Sequence, residues 1–83
     1  MNLETIRRKI DEIDAEIIKL LGKRMELAVA TKHLKTGVED LSREAVIISK
    51  LTVLAKHNNL DAEFIKRVYK EIFNESKKRQ IAK

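Results

Sequence analysis

One stretch constrains this chain more than any other, Leu3 to Lys35. Apolar residues recur there as Leu3, Ile6, Ile10, Ile13, Ile17, Leu20, Leu27 and Leu34. The spacing is that of a heptad seam along one continuous helix. About 32 residues rising ~1.5 Å each form a rod on the order of 48 Å long. Such a rod is too long for a lone small domain, so it predicts a second chain lying along it. Two positions interrupt the seam, Arg24 and Thr31. An arginine there is costly unless something anionic meets it, because a desolvated charge must be paired.

The rest of the chain predicts two shorter helices. Asn2 caps the first helix, and Gly37 is its first credible stop, as a left-handed residue after the last turn. Asp40 or Ser42 then caps a second helix running to about Lys56, with Ala45, Ile48, Leu51 and Ala55 as its stripe. His57-Asn58-Asn59 breaks it. Leu60 and Asp61 give a staple-and-cap signal for a third. Its stripe runs through Phe64 or Ile65, Val68 and Ile72, then turns polar at Ser76 and Gln80 on the face that should be buried. The basic tail from Lys77 to Lys83 is expected to be a solvated, fraying end. The fold class is therefore all-α: one long N-terminal helix and two shorter ones, in a single domain spanning residues 1–83.

Composition narrows the functions. Charged residues make up 37% of the 83-residue chain, and there is no proline and no cysteine. That excludes disulfides and thiol catalysis and favours long helices over sheet. The net charge of +5 points to an anionic partner without naming it. No run reaches membrane-spanning length, and the charged N-terminal stretch does not resemble a signal peptide, so a cytoplasmic protein is expected. His33 and His57 have no partner at metal-ligand spacing, so no metal is implied. No glycine-rich phosphate loop and no Ser/His/Asp set is present.

The polar groups where the pattern wants carbon are Arg24, Thr31, Ser76 and Gln80. Arg7, Lys35, Asp40, Arg43 and Glu44 border the same faces. On a continuous helix Arg24 and Lys35 point the same way about 16 Å apart, a span that two long side chains can bridge to one small ligand. Arg7 lies roughly 25 Å from Arg24 along the rod and cannot easily share that ligand within one chain. Antiparallel self-pairing about a two-fold axis near Ile18 resolves this. It sets Arg7 of one chain opposite the Arg24 to Lys35 segment of the other, in a closed dimer with two equivalent cationic pockets.

Each feature also has a plainer reading. Arg24 could snorkel or fix the helix register, and Lys35 could merely favour a helix C-terminus. Asp40 could be only a cap, and Ser76 and Gln80 surface residues. A basic module binding nucleic acid is the competing function. It would gather its cations on an outward face, whereas the cations singled out here lie in or beside the seam, out of reach of a duplex.

These residues in this order resemble the all-α class of chorismate mutases. The carrying segments are Ile-Arg-Arg-Lys-Ile-Asp-Glu-Ile-Asp at 6–14, Gly-Lys-Arg-Met-Glu-Leu-Ala at 22–28, and Lys35. They continue with Asp-Leu-Ser-Arg-Glu at 40–44, Leu-Asp-Ala at 60–62, and Ser76 with Gln80. The resemblance runs from about Leu3 to Gln80. It implies an intertwined six-helix homodimer that converts chorismate to prephenate without a cofactor. Arg24 would hold one substrate carboxylate, and Arg7 of the partner chain the other. Lys35 would contact a carboxylate and the ether oxygen, and Gln80 would donate to that oxygen from the opposite side. Glu44 and the backbone near Asp40 would take the ring hydroxyl, with Arg43 at the same end and Ser76 near a carboxylate. A lyase acting on isochorismate is the near alternative on the same fold. The stretch between Lys35 and Asp40 is shorter than is usual in the family and lacks the proline often found there.

The residue types suit that reaction. The rearrangement breaks a carbon–oxygen bond and makes a carbon–carbon bond within one molecule, so it needs no nucleophile, proton shuttle or metal. A protein contributes by gripping both carboxylates, so that the enolpyruvyl arm lies over the ring, and by placing donors where negative charge grows on the ether oxygen. Arginine forks match carboxylates and stay charged.

Overall fold

A computed structural model describes residues 1–34, 37 and 39–82. Three α-helices follow one another: α1 (Leu3–Ala30), α2 (Leu41–His57) and α3 (Ala62–Ile81). A short 3-10 turn at Thr31–His33 extends α1. No strand occurs among the described residues. The molecule is elongated, 52 × 28 × 16 Å, because α1 outruns the other two helices.

Local chemistry sets the helix starts. Asn2 caps α1, its side-chain oxygen accepting from the Thr5 amide at 2.8 Å. Asp40 caps α2 by accepting from the Arg43 amide at 3.0 Å. Asp61 caps α3 through the Glu63 amide at 3.4 Å. Each cap satisfies an amide that has no carbonyl one turn back. Asn59 closes α2 in the left-handed region at φ 57°. The amide of Leu60 reaches back to the Ala55 carbonyl at 2.8 Å, a Schellman-type end in which asparagine stands where glycine is usual.

Three expectations need correction. The α-helix ends at Ala30, not near Lys35. The Thr31 hydroxyl donates to the Ala28 carbonyl at 2.7 Å, and the backbone tightens into the 3-10 turn, where the Leu34 amide bonds the Thr31 carbonyl. No glycine among the described residues has a positive φ, so Gly37 is not a left-handed stop. The basic tail does not fray at Lys77 either. Helix α3 continues to Ile81, and both Ser76 and Gln80 are buried within it.

Helix α3 packs against both α1 and α2. Among the described residues the buried apolar ones are Met25 of α1, Ala55 of α2, and Ile72 and Phe73 of α3, so the core draws on all three helices. The first half of α1 contributes nothing to that core. Leu3, Ile6, Ile10, Ile13, Ile17 and Leu20 are all exposed, Ile13 at 57%.

Candidate active site

The second half of α1, the start of α2 and the end of α3 enclose a cleft of about 270 Å³. Arg24, Asp40, Arg43, Glu44, Ser76 and Gln80 all line it. Six of the eight residues to which the resemblance gives a role thus converge on one cleft, and Thr31 of the interrupted seam lines it too. Arg7 does not. It lies exposed toward the far end of α1 and is not among the residues of the cleft. Lys35 lies outside the described residues.

Arg24 is positioned by α3. Its Nη1 donates to the Ser76 hydroxyl at 3.2 Å. Its guanidinium carbon stands 5.7 Å from the ring centroids of both Tyr69 and Phe73. The two rings meet edge to face, and the cation is attracted to aromatic faces. Among the described residues no carboxylate pairs with it. The seam arginine is therefore held by a hydroxyl and aromatic rings while remaining available to an anion in the cleft. The Ser76 hydroxyl accepts from Arg24 and donates to the Ile72 carbonyl one turn back, at 2.9 Å. Burial of Ser76 at 7% exposure fixes this relay in place.

Gln80 is 3% exposed. Its Nε2 donates to the Ser76 carbonyl at 3.2 Å, and its Oε1 is buried without a partner among the described residues. An amide nitrogen carries two hydrogens, so one remains for a ligand while the first holds the side chain.

On the side formed by α2, the site carries acid. Asp40 is occupied as the cap of α2. Glu44, in the first turn of α2, pairs through Oε2 with Lys77 at 3.1 Å. Lys77 also donates to Glu39 at 2.8 Å. The hydrogen bond to Glu39 first, then that to Glu44, holds the Lys77 ammonium above the usual lysine range. Sequence reasoning assigned Lys77 to a solvated tail and missed it. The signal was present, since Lys77 directly follows Ser76 and lies three residues before Gln80 on a helix that stays folded. Phe73, one turn before Ser76, also lines the cleft.

Chemically, this is a site for an anion with a hydroxyl elsewhere on it. It offers a braced guanidinium from α1, a buried amide donor from α3, and a carboxylate from α2.

The sequence profile of chorismate mutase type II matches residues 6–81. The chain belongs to that family. It is 32% identical over 79 residues to the chorismate mutase of Methanocaldococcus jannaschii, covering 90% of this chain and 80% of that protein. It is 37% identical over 79 residues to the bifunctional chorismate mutase/prephenate dehydratase of Buchnera aphidicola subsp. Schizaphis graminum, covering 90% of this chain and 20% of that one. The corresponding Escherichia coli (strain K12) protein is 35% identical over 78 residues, with 89% and 20% covered. The chain thus spans about a fifth of the length of these bifunctional relatives. The all-helical fold expected from the resemblance to this family is the fold observed. No helix among the described residues is long and apolar enough to cross a membrane.

Proposed function

We propose that this chain is a chorismate mutase, rearranging chorismate to prephenate for phenylalanine and tyrosine synthesis in the cytoplasm. The observation that carries the reading is the convergence of Arg24, Ser76, Gln80 and Glu44 on one cleft, in a member of this family. Arg24 grips one substrate carboxylate. Gln80 and Lys35 donate to the ether oxygen as the carbon–oxygen bond lengthens and negative charge grows there, which favours the transition state over the ground state. Glu44 accepts from the ring hydroxyl, Asp40 and Arg43 shape that end, and Ser76 steadies Arg24. The residues act by positioning and electrostatics, and residues 1–83 work as one domain.

We further propose that the working form is an intertwined homodimer in which Arg7 enters the cleft of the partner subunit. Support comes from the exposed seam Leu3 to Leu20 and from the distance between Arg7 and Arg24. Complete burial of a leucine or isoleucine gains roughly 1.5–3 kcal/mol, so covering this half-exposed row recovers several kcal/mol per chain. A second copy supplies a matching surface, since its seam carries the same repeat.

The test is incubation with chorismate, followed by ultraviolet absorbance. Loss of chorismate with appearance of prephenate is expected. Turnover of isochorismate to pyruvate and salicylate alone would select the lyase, and inertness toward both would remove the assignment. Arg24→Ala should reduce the rate at least about a hundredfold, the usual loss when one such contact is removed, with helicity unchanged. Gln80→Glu should make activity depend on the protonated acid and fall as pH rises. A flat profile would count against Gln80 facing the ether oxygen.

A further inference from the structure

The cleft carries one charged group whose role the reaction chemistry leaves unassigned, Lys77. The adjacent basic residues do not share its setting. Lys78 and Arg79 are exposed, and Arg79 pairs with Glu75 one turn back on the same helix. Lys77 reaches across from α3 to α2, and its side chain and that of Glu44 are each only 23% exposed. It joins Glu39, just ahead of α2, and Glu44, in the first turn of α2, to a helix that also holds Ser76 and Gln80.

This arrangement solves a problem specific to the site. A bare carboxylate lining a cleft for a doubly negative substrate repels it. Left unbraced, a glutamate on the first turn of a helix also has several rotamers to choose among, and fixing one costs entropy on binding. An ion pair to one carboxylate oxygen lessens the repulsion and fixes the rotamer. Lys77 holds Oε2 of Glu44, which leaves Oε1 to accept from a hydroxyl. The neighbouring Glu39 bond holds the ammonium itself in place from the other side.

We propose that Lys77 is a positioning residue for substrate binding, pairing with Glu44 so that its second carboxylate oxygen receives the substrate's ring hydroxyl. The inference rests on the chorismate mutase reading above and extends it to a residue that reading does not use. The ring hydroxyl is remote from the bonds that break and form, so its contact is felt equally in the ground and transition states. Weakening such a contact raises KM and leaves kcat nearly unchanged.

The experiment is a double-mutant cycle on the full chain with chorismate as substrate. Lys77→Met should raise KM about tenfold and leave kcat within about twofold, the pattern of lost uniform binding. Lys77→Arg, which keeps a donor and a charge, should recover most of the loss. In the Glu44→Gln background the same Lys77→Met change should raise KM less than about threefold, because residues that act as a unit are not additive. Glu39→Gln leaves the pair to Glu44 intact and should change KM least. Circular dichroism and urea melts accompany each variant, so that a loss of folding is told apart from a loss of binding. If Lys77→Met does not fold, the Lys77→Arg and Glu39→Gln variants still decide, because a KM rise in Glu39→Gln matching that of Glu44→Gln overturns the proposal. So does an unchanged KM in Lys77→Met, or an equal rise in both backgrounds. An inert parent chain overturns this inference together with the functional reading. An active parent with an additive cycle overturns this inference alone.

Discussion

The two halves of α1 carry the same seam, with its leucines and isoleucines exposed along both, and differ in what packs on the neighbouring face. From Leu3 to Leu20 every seam residue is exposed. In the second half Leu27 is exposed as well, but the face beside the seam lies against α3, with Met25 at 6% exposure and Arg24 bonded to Ser76. Apolar spacing does not distinguish them. What differs is whether the chain has a helix long enough to lie alongside. Helix α3 spans Ala62–Ile81 and reaches only the second half. An exposed, contiguous apolar row on one face of a helix marks an interaction surface. The lesson is that the packed half builds the cleft, and the bare half is the region left for another chain.

The sharpest way to break this comparison is to place a lysine in the bare half. Ile13→Lys should leave the three-helix fold but abolish self-association, read by sedimentation, and with it measurable turnover. Native mass and near-normal rate in that variant would show that the bare half is not an interface. Next in size is complementation. Arg7→Ala and Arg24→Ala chains should each lose at least about a hundredfold in rate, as expected for an electrostatic contact to the reacting group. Mixed dimers of the two should regain one intact site. Verified heterodimers that stay inactive would place both arginines in the same chain's pocket or neither.

Met25→Ala probes the packed half and should cost roughly 2–5 kcal/mol in urea unfolding, the usual range for deleting a buried methionine side chain. Leu3→Ala at the far end should cost far less in monomeric protein. Equal costs would erase the distinction between the halves.

The smallest effect concerns the ion pairs around α3. The hydrogen bond from Arg79 lowers the Glu75 carboxyl below its usual range, so its contribution is present above the usual carboxylate value and lost as pH falls through the lower folded value. Lys77 has the opposite sign. Its contribution is complete below the usual lysine value and disappears as pH climbs through the higher folded one. Melting temperature should therefore be flat between those limits with respect to both groups. Glu75→Gln should blunt only the acid limb, by little, because the pair is exposed.

Much of the molecule was legible before its structure. Asn2, Asp40 and Asp61 announce helix starts because a short polar side chain can satisfy an orphan amide locally. Arg24, Ser76 and Gln80 stand out because a polar group on an apolar stripe needs a partner. The end of α1 was misplaced because the heptad continues past Ala30 to Leu34, while no neighbouring helix rewards continuing it. Lys77 was hidden for a related reason. It belongs to a run of like residues ending in Lys78 and Arg79, and only the path of the chain ahead of α2 brings Glu39 and Glu44 to it.

The sequence by itself determined the helices, their caps and the polar interruptions, because these follow from periodicities and from bonds closed within a few residues. Tertiary structure alone decided that α3 packs beside the seam of α1 and leaves its apolar residues bare, that Arg24 rests against two aromatic rings, and that Lys77 pairs with Glu44. Those depend on where three helices cross, and a crossing joins residues dozens of positions apart that no local pattern connects.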